Sequence, residues 1–318
     1  MNSMAIVDFH CDVLSKLLRD RELTFQGNKP GVLDVTLDRL KAGHVILQTF
    51  AVFISPSRSD YHEIDPILES IDLFYEKILR FPEMRIIRTV SDLDACIQEG
   101  RIGALLSLEG VGGLRGRLSM LRLLKRLGVR AAGLTWNDAN WAADGVMEAR
   151  AGGLTEQGAA FVQECNKQDI IVDVSHLSER AFWDVAALSY KPIVASHSNV
   201  RELCDHPRNL TDLQIGAIID SGGLIGITYV PQFVRAAGDV TIDDVLRHVE
   251  HICALGGEKH LALGSDFDGI DRHVQGLSHP GQVVALQEAL LKRFSPEQVQ
   301  GILSGNALSF LRGQLPVE

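Results

Sequence analysis

Eight apolar, β-type runs alternate with amphipathic helical stretches along this chain of 318 residues, and no other feature limits the fold as strongly. Most runs are almost continuously hydrophobic, as expected of parallel strands buried on both faces. The pattern predicts an α/β protein, a distorted (β/α)8 TIM-like barrel with a C-terminal helix. The runs are Ile6–His10, Val45–Phe53, Ile102–Glu109, Ala131–Trp136, Ile170–His176, Pro192–His197, Gly223–Tyr229 and Leu261–Asp266.

No linker, low-complexity tract or repeat interrupts this alternation. We therefore predict a single domain over residues 1–318, since an α/β barrel can absorb this length as one unit. The segment 19–43 and the loop 136–153 are expected to be additions to the barrel.

Composition narrows the class of protein and its partners. Hydrophobic residues make up 46% of the chain and charged residues 23%, which is typical of a soluble globular protein. The formal net charge of −10 argues against nucleic acid or an anionic membrane as a partner. The five cysteines are scattered, and no stretch has the pattern of a signal peptide or a membrane span. These features predict a cytoplasmic protein.

Metal-type and acid–base residues collect at the carboxyl ends of the predicted strands, where TIM-barrel enzymes place their catalytic groups. His10 and Asp12 follow the first run, and their spacing on a strand points both side chains to one face. Four other runs end in Glu109, His176, His197 and Asp266. Taken singly, each has an ordinary interpretation, because a lone histidine is usually a core residue and an aspartate near a glycine is often a turn former.

A barrel would bring all of these ends to one mouth, which favours a shared function over six separate structural roles. Three imidazoles and two carboxylates suit a pair of Zn²⁺-like ions, and the carboxylate of Glu109 is able to bridge them. Asp266 then remains as a nearby acid–base group.

Seven short motifs lie in order through nearly the whole chain. They are Asp8-Phe9-His10-Cys11-Asp12, Ser107-Leu108-Glu109-Gly110, Asp173-Val174-Ser175-His176, Ser196-His197-Ser198, Pro207-Arg208-Asn209, Gly264-Ser265-Asp266-Phe267-Asp268-Gly269, and an ending from Gly305-Asn306-Ala307-Leu308 to Leu311-Arg312. Each motif is short, but together and in this order they resemble the membrane dipeptidase (renal dipeptidase) family of amidohydrolase-like metal barrels.

The resemblance implies a zinc-dependent dipeptidase that hydrolyses L-Xaa-L-Xaa or L-Xaa-D-Xaa dipeptides through a hydroxide bridging two divalent ions. It assigns His10, Asp12 and Glu109 to one Zn²⁺, and Glu109, His176 and His197 to the other. It also implies a homodimer.

The resemblance further assigns three residues outside the metal ligands. Asp266 would carry the proton between the water and the leaving amine. Arg208 would bind the terminal carboxylate of the substrate, a task that suits the planar guanidinium group. Tyr229 would line the pocket.

One position departs from the family pattern. Family members carry a histidine after Leu-Thr on the fourth strand, where this chain has Trp136 followed by Asn137. An indole N–H can donate a hydrogen bond but cannot accept one or carry a charge. The oxyanion would then be stabilised by the metals, Asn137 or Trp136 itself. Trp136 is equally well explained as a buried aromatic plug.

Two other functions fit the same residues. The first is a related binuclear amidohydrolase that acts on another small, carboxylate-bearing amide. The second is a metal-containing homologue that binds a small ligand without turning it over. A substrate panel separates the first from a dipeptidase, and the second predicts ligand binding without turnover.

Overall fold

The computed structural model describes residues 4–27, 29 and 31–318, and at its centre is a closed barrel of parallel strands. The predicted start of the domain at residues 1–3, and positions 28 and 30 of the segment 19–43, lie outside the described residues. The strands are β1 (Ile6–Asp8), β2 (Val45–Phe53), β3 (Met84–Ile86), β4 (Ile102–Glu109), β5 (Val129–Gly133), β6 (Ile171–Asp173), β7 (Ile193–Ala195), β8 (Leu224–Ile227) and β9 (Leu261–Leu263).

Eight of the described strands form the barrel in the order β1–β2–β4–β5–β6–β7–β8–β9, and β9 pairs with β1 to close it. The predicted TIM-like barrel is confirmed. Strand β3 is an addition that the sequence did not predict, because its three residues are too few to form a recognisable run. Strand β3 pairs with the first residues of β4. The later residues of β4 pair, on the same edge, with β5.

Most strands are shorter than the runs that predicted them. Six of the eight barrel strands in the described chain end two or three residues before the predicted end, as β6 does at Asp173 rather than His176. The polar residues at the ends of those runs therefore lie in the loops just beyond the strands. Their backbones are free to leave the sheet and direct side chains over the mouth of the barrel.

Helices surround the barrel, and many begin at a threonine or serine that caps the first turn. Thr211, Thr241 and Ser295 each form a reciprocal capping box with the residue three positions later. Among the described helices, none is long and apolar enough to cross a membrane. The helices are α1 (Val13–Arg19), α2 (Leu37–Ala42), α3 (Asp65–Leu73), α4 (Val90–Gln98), α5 (Leu118–Arg126), α6 (Glu156–Lys167), α7 (Glu179–Leu188), α8 (Asp212–Asp220), α9 (Pro231–Val234), α10 (Ile242–Ala254), α11 (Val283–Leu290), α12 (Pro296–Gln300) and α13 (Asn306–Gln314).

The predicted C-terminal helix, α13, is packed against the interior of the barrel. Phe310 and Leu311 of this helix belong to a buried apolar cluster that also contains strand residues. The strand residues include Val7, Leu105 and Ile171. The rings of Phe9 and Phe310 meet edge to face with centroids 6.3 Å apart. The interior is thus filled by side chains, which leaves the carboxyl ends of the strands as the place for a site.

Candidate active site

Five imidazole and carboxylate side chains, at or just beyond the ends of four different strands, converge at the mouth of the barrel. His10 Nε2 lies 3.4 Å from Asp12 Oδ2 and 3.4 Å from Glu109 Oε2. His176 Nε2 lies 2.8 Å from both Glu109 Oε1 and His197 Nε2. All five residues are buried, and none is more than 9% exposed. Glu109 is central, since one carboxylate oxygen faces His10 and the other faces His176.

The hydrogen bonding of these side chains tests whether they fit a metal ion. His176 Nδ1 lies 2.8 Å from Asn137 Oδ1, and a proton on Nδ1 would be donated to that oxygen. In this tautomer His176 Nε2 keeps a lone pair, which faces the Glu109 carboxylate. Among the residues that the structure describes, His10 Nε2 and Asp12 Oδ1 are buried and have no hydrogen-bond partner. A cation would satisfy these unpaired lone pairs, and imidazole with carboxylate is a common ligand set for Zn²⁺ and similar ions. The residues present therefore fit a divalent metal centre.

The ligand atoms form two compact groups. His10, Glu109 and His197 make one, and His10, Asp12 and Asp266 make the other, with the atoms of each group within 4.8 Å of one another. This grouping differs from the division that the family resemblance implies, because His10 belongs to both groups. His176 belongs to neither group, and Asp266, which the resemblance assigns to proton transfer, belongs to the second.

Burial and neighbouring charges set the protonation of the imidazoles. Burial, aided by the charge of Arg208, lowers the pKa of His176 to about 4. Burial also lowers the pKa of His197 well below its usual range. Both rings are therefore neutral at pH 7, the form that binds metals. Burial acts on His10 in the same direction, but the neighbouring carboxylates, Glu109 foremost, together outweigh it, and the pKa of His10 is raised well above its usual value. Without a metal His10 therefore carries a proton, which a bound cation would displace.

Asp266 faces the same centre from the loop after β9. Its Oδ1 lies 3.8 Å from His10 Nε2. Burial, followed by the charge of Asp12, raises the pKa of Asp266 well above its usual range. A carboxyl group with a raised pKa is suited to accepting and returning a proton near neutral pH.

A reciprocal exchange of hydrogen bonds holds the turn that carries Asp266. Asp268 accepts the backbone N–H groups of Asp34 and Val35 at 2.8 Å each, and Asp34 accepts the N–H of Asp268 at 3.0 Å. Lys16 Nζ lies 3.0 Å from Asp268 Oδ1. Asp266 and Asp268 have φ values of 65° and 71°, a region that costs a non-glycine residue about 1–3 kcal/mol and persists only where the surroundings impose it. The exchange supplies that support.

Two buried aspartates that the sequence analysis did not assign hold the strand ends in place. Asp8 Oδ1 accepts the N–H of Ser265 at 2.8 Å, and Asp8 Oδ2 accepts the Ser265 hydroxyl at 2.6 Å, which ties β1 to the loop of Asp266. Asp173 Oδ1 accepts the N–H groups of Ser175 at 2.9 Å and Ser196 at 3.1 Å, which ties β6 to β7. Their signal in the sequence is a buried strand that ends in aspartate two or three residues before a histidine.

An open cavity of about 330 Å³ lies over the centre and is lined in part by Trp136, Asn137, His176, Phe233 and Asp266. The Trp136 ring lies 6.1 Å from the His176 ring and 5.4 Å from the ring of Phe53. Trp136 therefore forms an aromatic wall of the cavity and is not a buried plug. Asn137 also lines the cavity while its Oδ1 contacts His176.

The structure does not bring the two other predicted substrate residues to the walls of the described cavities. Tyr229 is 0% exposed and its ring packs against Phe267, with centroids 5.6 Å apart. Arg208 is 4% exposed, donates to the carbonyl of His197 at 3.2 Å, and lies 5.4 Å from the centre of the Phe233 ring. The Nε atom of Arg208 has no hydrogen-bond partner within the described part of the chain. Arg208 is thus a buried, incompletely paired cation beside the centre.

Comparison with known proteins adds an independent line of observation. A family described as membrane dipeptidase (peptidase family M19) matches residues 1–314. The chain is 39% identical over 197 residues to an uncharacterized protein in the pqqA 5′ region of Klebsiella pneumoniae, covering 59% of this chain and 73% of that one. It is 32% identical over 291 residues to dipeptidase aclJ of Aspergillus oryzae, covering 87% and 69%.

A solved structure agrees over the entire fold. This is a metallo peptidase from Rhodobacter sphaeroides liganded with a phosphinate mimic of the dipeptide L-Ala-D-Ala, with a TM-score of 0.90 and 27% identity over 99% of this chain and 100% of that one. Together with the match over nearly the full length, these likenesses show that the chain belongs to the membrane dipeptidase family, peptidase family M19.

Proposed function

We propose that this metal-dependent dipeptidase cleaves L-Xaa-L-Xaa or L-Xaa-D-Xaa dipeptides at a centre of two Zn²⁺ ions. The observation that carries the proposal is the convergence of five buried imidazole and carboxylate side chains, of which His10 Nε2 and Asp12 Oδ1 have no hydrogen-bond partner among the described residues. The ligands are His10, Asp12, Glu109, His176 and His197. When bound, such ions lower the pKa of a shared water and polarise a carbonyl group.

The remaining chemistry falls to side chains of this chain. Asp266 accepts a proton from the attacking water and returns it to the amine that leaves, a role supported by its raised pKa. Asn137 holds the ring of His176 so that Nε2 faces the centre. Trp136 supplies an apolar wall and an indole N–H donor where other family members have a histidine.

Arg208 is proposed to attract the terminal carboxylate of the dipeptide. Its guanidinium is buried, its Nε is unpaired, and Phe233 lies over it. A fixed positive charge at this place favours small substrates with a free carboxylate over internal peptide bonds.

Three broader features complete the proposal. The domain is one hydrolase barrel over residues 1–318, the protein works in the cytoplasm, and it forms a homodimer. The free thiol state of all five cysteines supports a reducing compartment. The dimer follows from the family resemblance, and light scattering of the purified protein tests it.

The deciding experiment is hydrolysis of a panel of L,L and L,D dipeptides by zinc-loaded protein, with Asp266→Asn as the comparison. Loss of a general acid–base group is expected to lower the rate by about 10²–10⁴-fold. The variant should keep the zinc content of the parent protein. A protein with two bound metals that hydrolyses no dipeptide would contradict the proposal, and so would full activity of the variant.

A further inference from the structure

The active-site cavity continues beyond the metal ligands, away from the side where Arg208 lies. A second lobe of about 230 Å³ runs past Asp12 and Glu109 to Ser15, Arg19 and Phe53. A third lobe of about 170 Å³ shares those last three residues and reaches the loop after β2. This space adjoins the reacting centre, but no part of the proposed chemistry uses it.

Helix α1 builds one wall of these lobes. It begins immediately after Asp12, and its helical spacing places Ser15, Lys16 and Arg19 toward the cavity. The opposite face is buried in the core and includes Val13, Leu14 and Leu17, while Leu18 is buried at the edge of the third lobe. The position of the polar face is therefore fixed by core packing on one side and by a metal ligand at the start of the helix.

The cations that line the second and third lobes differ in whether a carboxylate neutralises them. Lys16 pairs with Asp268 at 3.0 Å. Arg58 donates two hydrogen bonds to Asp60, at 2.8 Å and 2.7 Å. No carboxylate of the described residues pairs with Arg19, which leaves its guanidinium as an unneutralised positive charge at the junction of the two lobes.

Three serine residues line the third lobe together with Arg19. Ser15 donates to the carbonyl of Asp12 at 2.9 Å, and the hydroxyls of Ser55 and Ser57 lie 2.8 Å apart. Serine oxygens can redirect their protons to suit a bound group, and a guanidinium offers a planar pair of donors to a carboxylate. The lobe thus offers a cation with adjustable donors, set against the ring of Phe53.

We infer that the third lobe binds the side chain of the N-terminal residue of the dipeptide and selects an acidic side chain, that of glutamate or aspartate. The inference rests on the proposed function. Arg208 follows β7, whereas α1 and the Phe53–Arg58 loop follow β1 and β2 on the other side of the centre. A dipeptide with its terminal carboxylate toward Arg208 and its peptide bond at the centre directs its N-terminal residue to Arg19.

The test compares two dipeptides of nearly equal shape, L-Glu-L-Ala and L-Gln-L-Ala, with L-Ala-L-Ala as the reference. We expect kcat/KM to be about fivefold or more higher for Glu-Ala, since a partly exposed ion pair contributes modestly. The preference should shrink as ionic strength rises, because salt screens the pair, while Gln-Ala hydrolysis should not change in parallel.

Arg19→Gln should abolish the preference for Glu-Ala and leave Gln-Ala hydrolysis near the level of the parent protein, and Arg19→Lys should restore part of it. Arg21→Gln is the matched control, because Arg21 is exposed, pairs with Glu69 and lines none of these lobes. Hydrolysis of Ala-Ala without a preference for Glu-Ala, or a preference that survives in Arg19→Gln, overturns the inference alone. Failure to hydrolyse any of the three dipeptides overturns the proposed function and the inference with it.

Discussion

Replacing Gly269 with alanine tests whether the carboxylates of the proposed metal centre must lie where the structure has them. A β-carbon at this position would lie 2.5 Å from Asp266 Oδ1 and closer still to Asp12 Oδ2. Ordinary contact begins near 3.4 Å, so the Asp266 oxygen must retreat by about 0.9 Å and the Asp12 oxygen by more. The backbone at Gly269 does not have a positive φ, so the added methyl acts mainly through these two carboxylates.

A displacement of about 1 Å in a reacting centre can lower the rate about 10²-fold. We therefore expect Gly269→Ala to lose about two orders of magnitude in kcat/KM for a dipeptide and to bind zinc more weakly. Thermal unfolding of the metal-free protein should change little, because the substitution lies in a loop. Steady-state kinetics, metal analysis and calorimetry measure these three quantities separately.

Gly216→Ala is the matched control. Gly216 lies within α8, and a β-carbon there would meet no atom within 4 Å. Alanine in a helix interior is favoured over glycine by about 1 kcal/mol, so this variant should be slightly more stable and fully active. If Gly269→Ala kept the activity and zinc content of the parent protein, the claim that Asp12 and Asp266 must keep these positions would be refuted.

Three further predictions follow from the contacts around the centre. Asp173→Ala leaves two buried N–H groups without an acceptor and should lower the free energy of unfolding by about 2–5 kcal/mol in urea titration, whereas Asp173→Asn should cost less. Burial lowers the pKa of His248, whose neutral ring bonds to Val200 and Val234. The unfolded chain then takes up the proton first, so stability should fall as pH drops below about 6.5, and His248→Gln should flatten that slope. Dialysis against a chelator should lower the melting temperature and abolish hydrolysis, and zinc should restore both.

The barrel was predictable because strands buried on both faces leave a signature in the sequence itself. β2 and β4 are almost entirely apolar, and the structure gives the predicted bounds Val45–Phe53 and Ile102–Glu109. The predicted ends of the shorter strands lie beyond the observed ends. Residues that follow these strands are buried too, and several, such as Val174 after β6, are apolar, so the sequence pattern of a buried strand continues past the strand itself. Strand β3 carried too few residues for any pattern.

The sequence by itself determined that polar, metal-binding types of residue follow the strands. Because it also predicts a barrel, it requires these residues to lie at one end of that barrel. Only the tertiary structure decided which side chains lie within reach of one another, because contacts such as Asp8 with Ser265 or Asp268 with Asp34 join residues more than 200 positions apart. It placed Tyr229 inside the core, and it left Arg19 beside the cavity with no carboxylate partner among the described residues. Local sequence patterns report burial and periodicity, whereas the pairing of a charge depends on how the loops after different strands pack together.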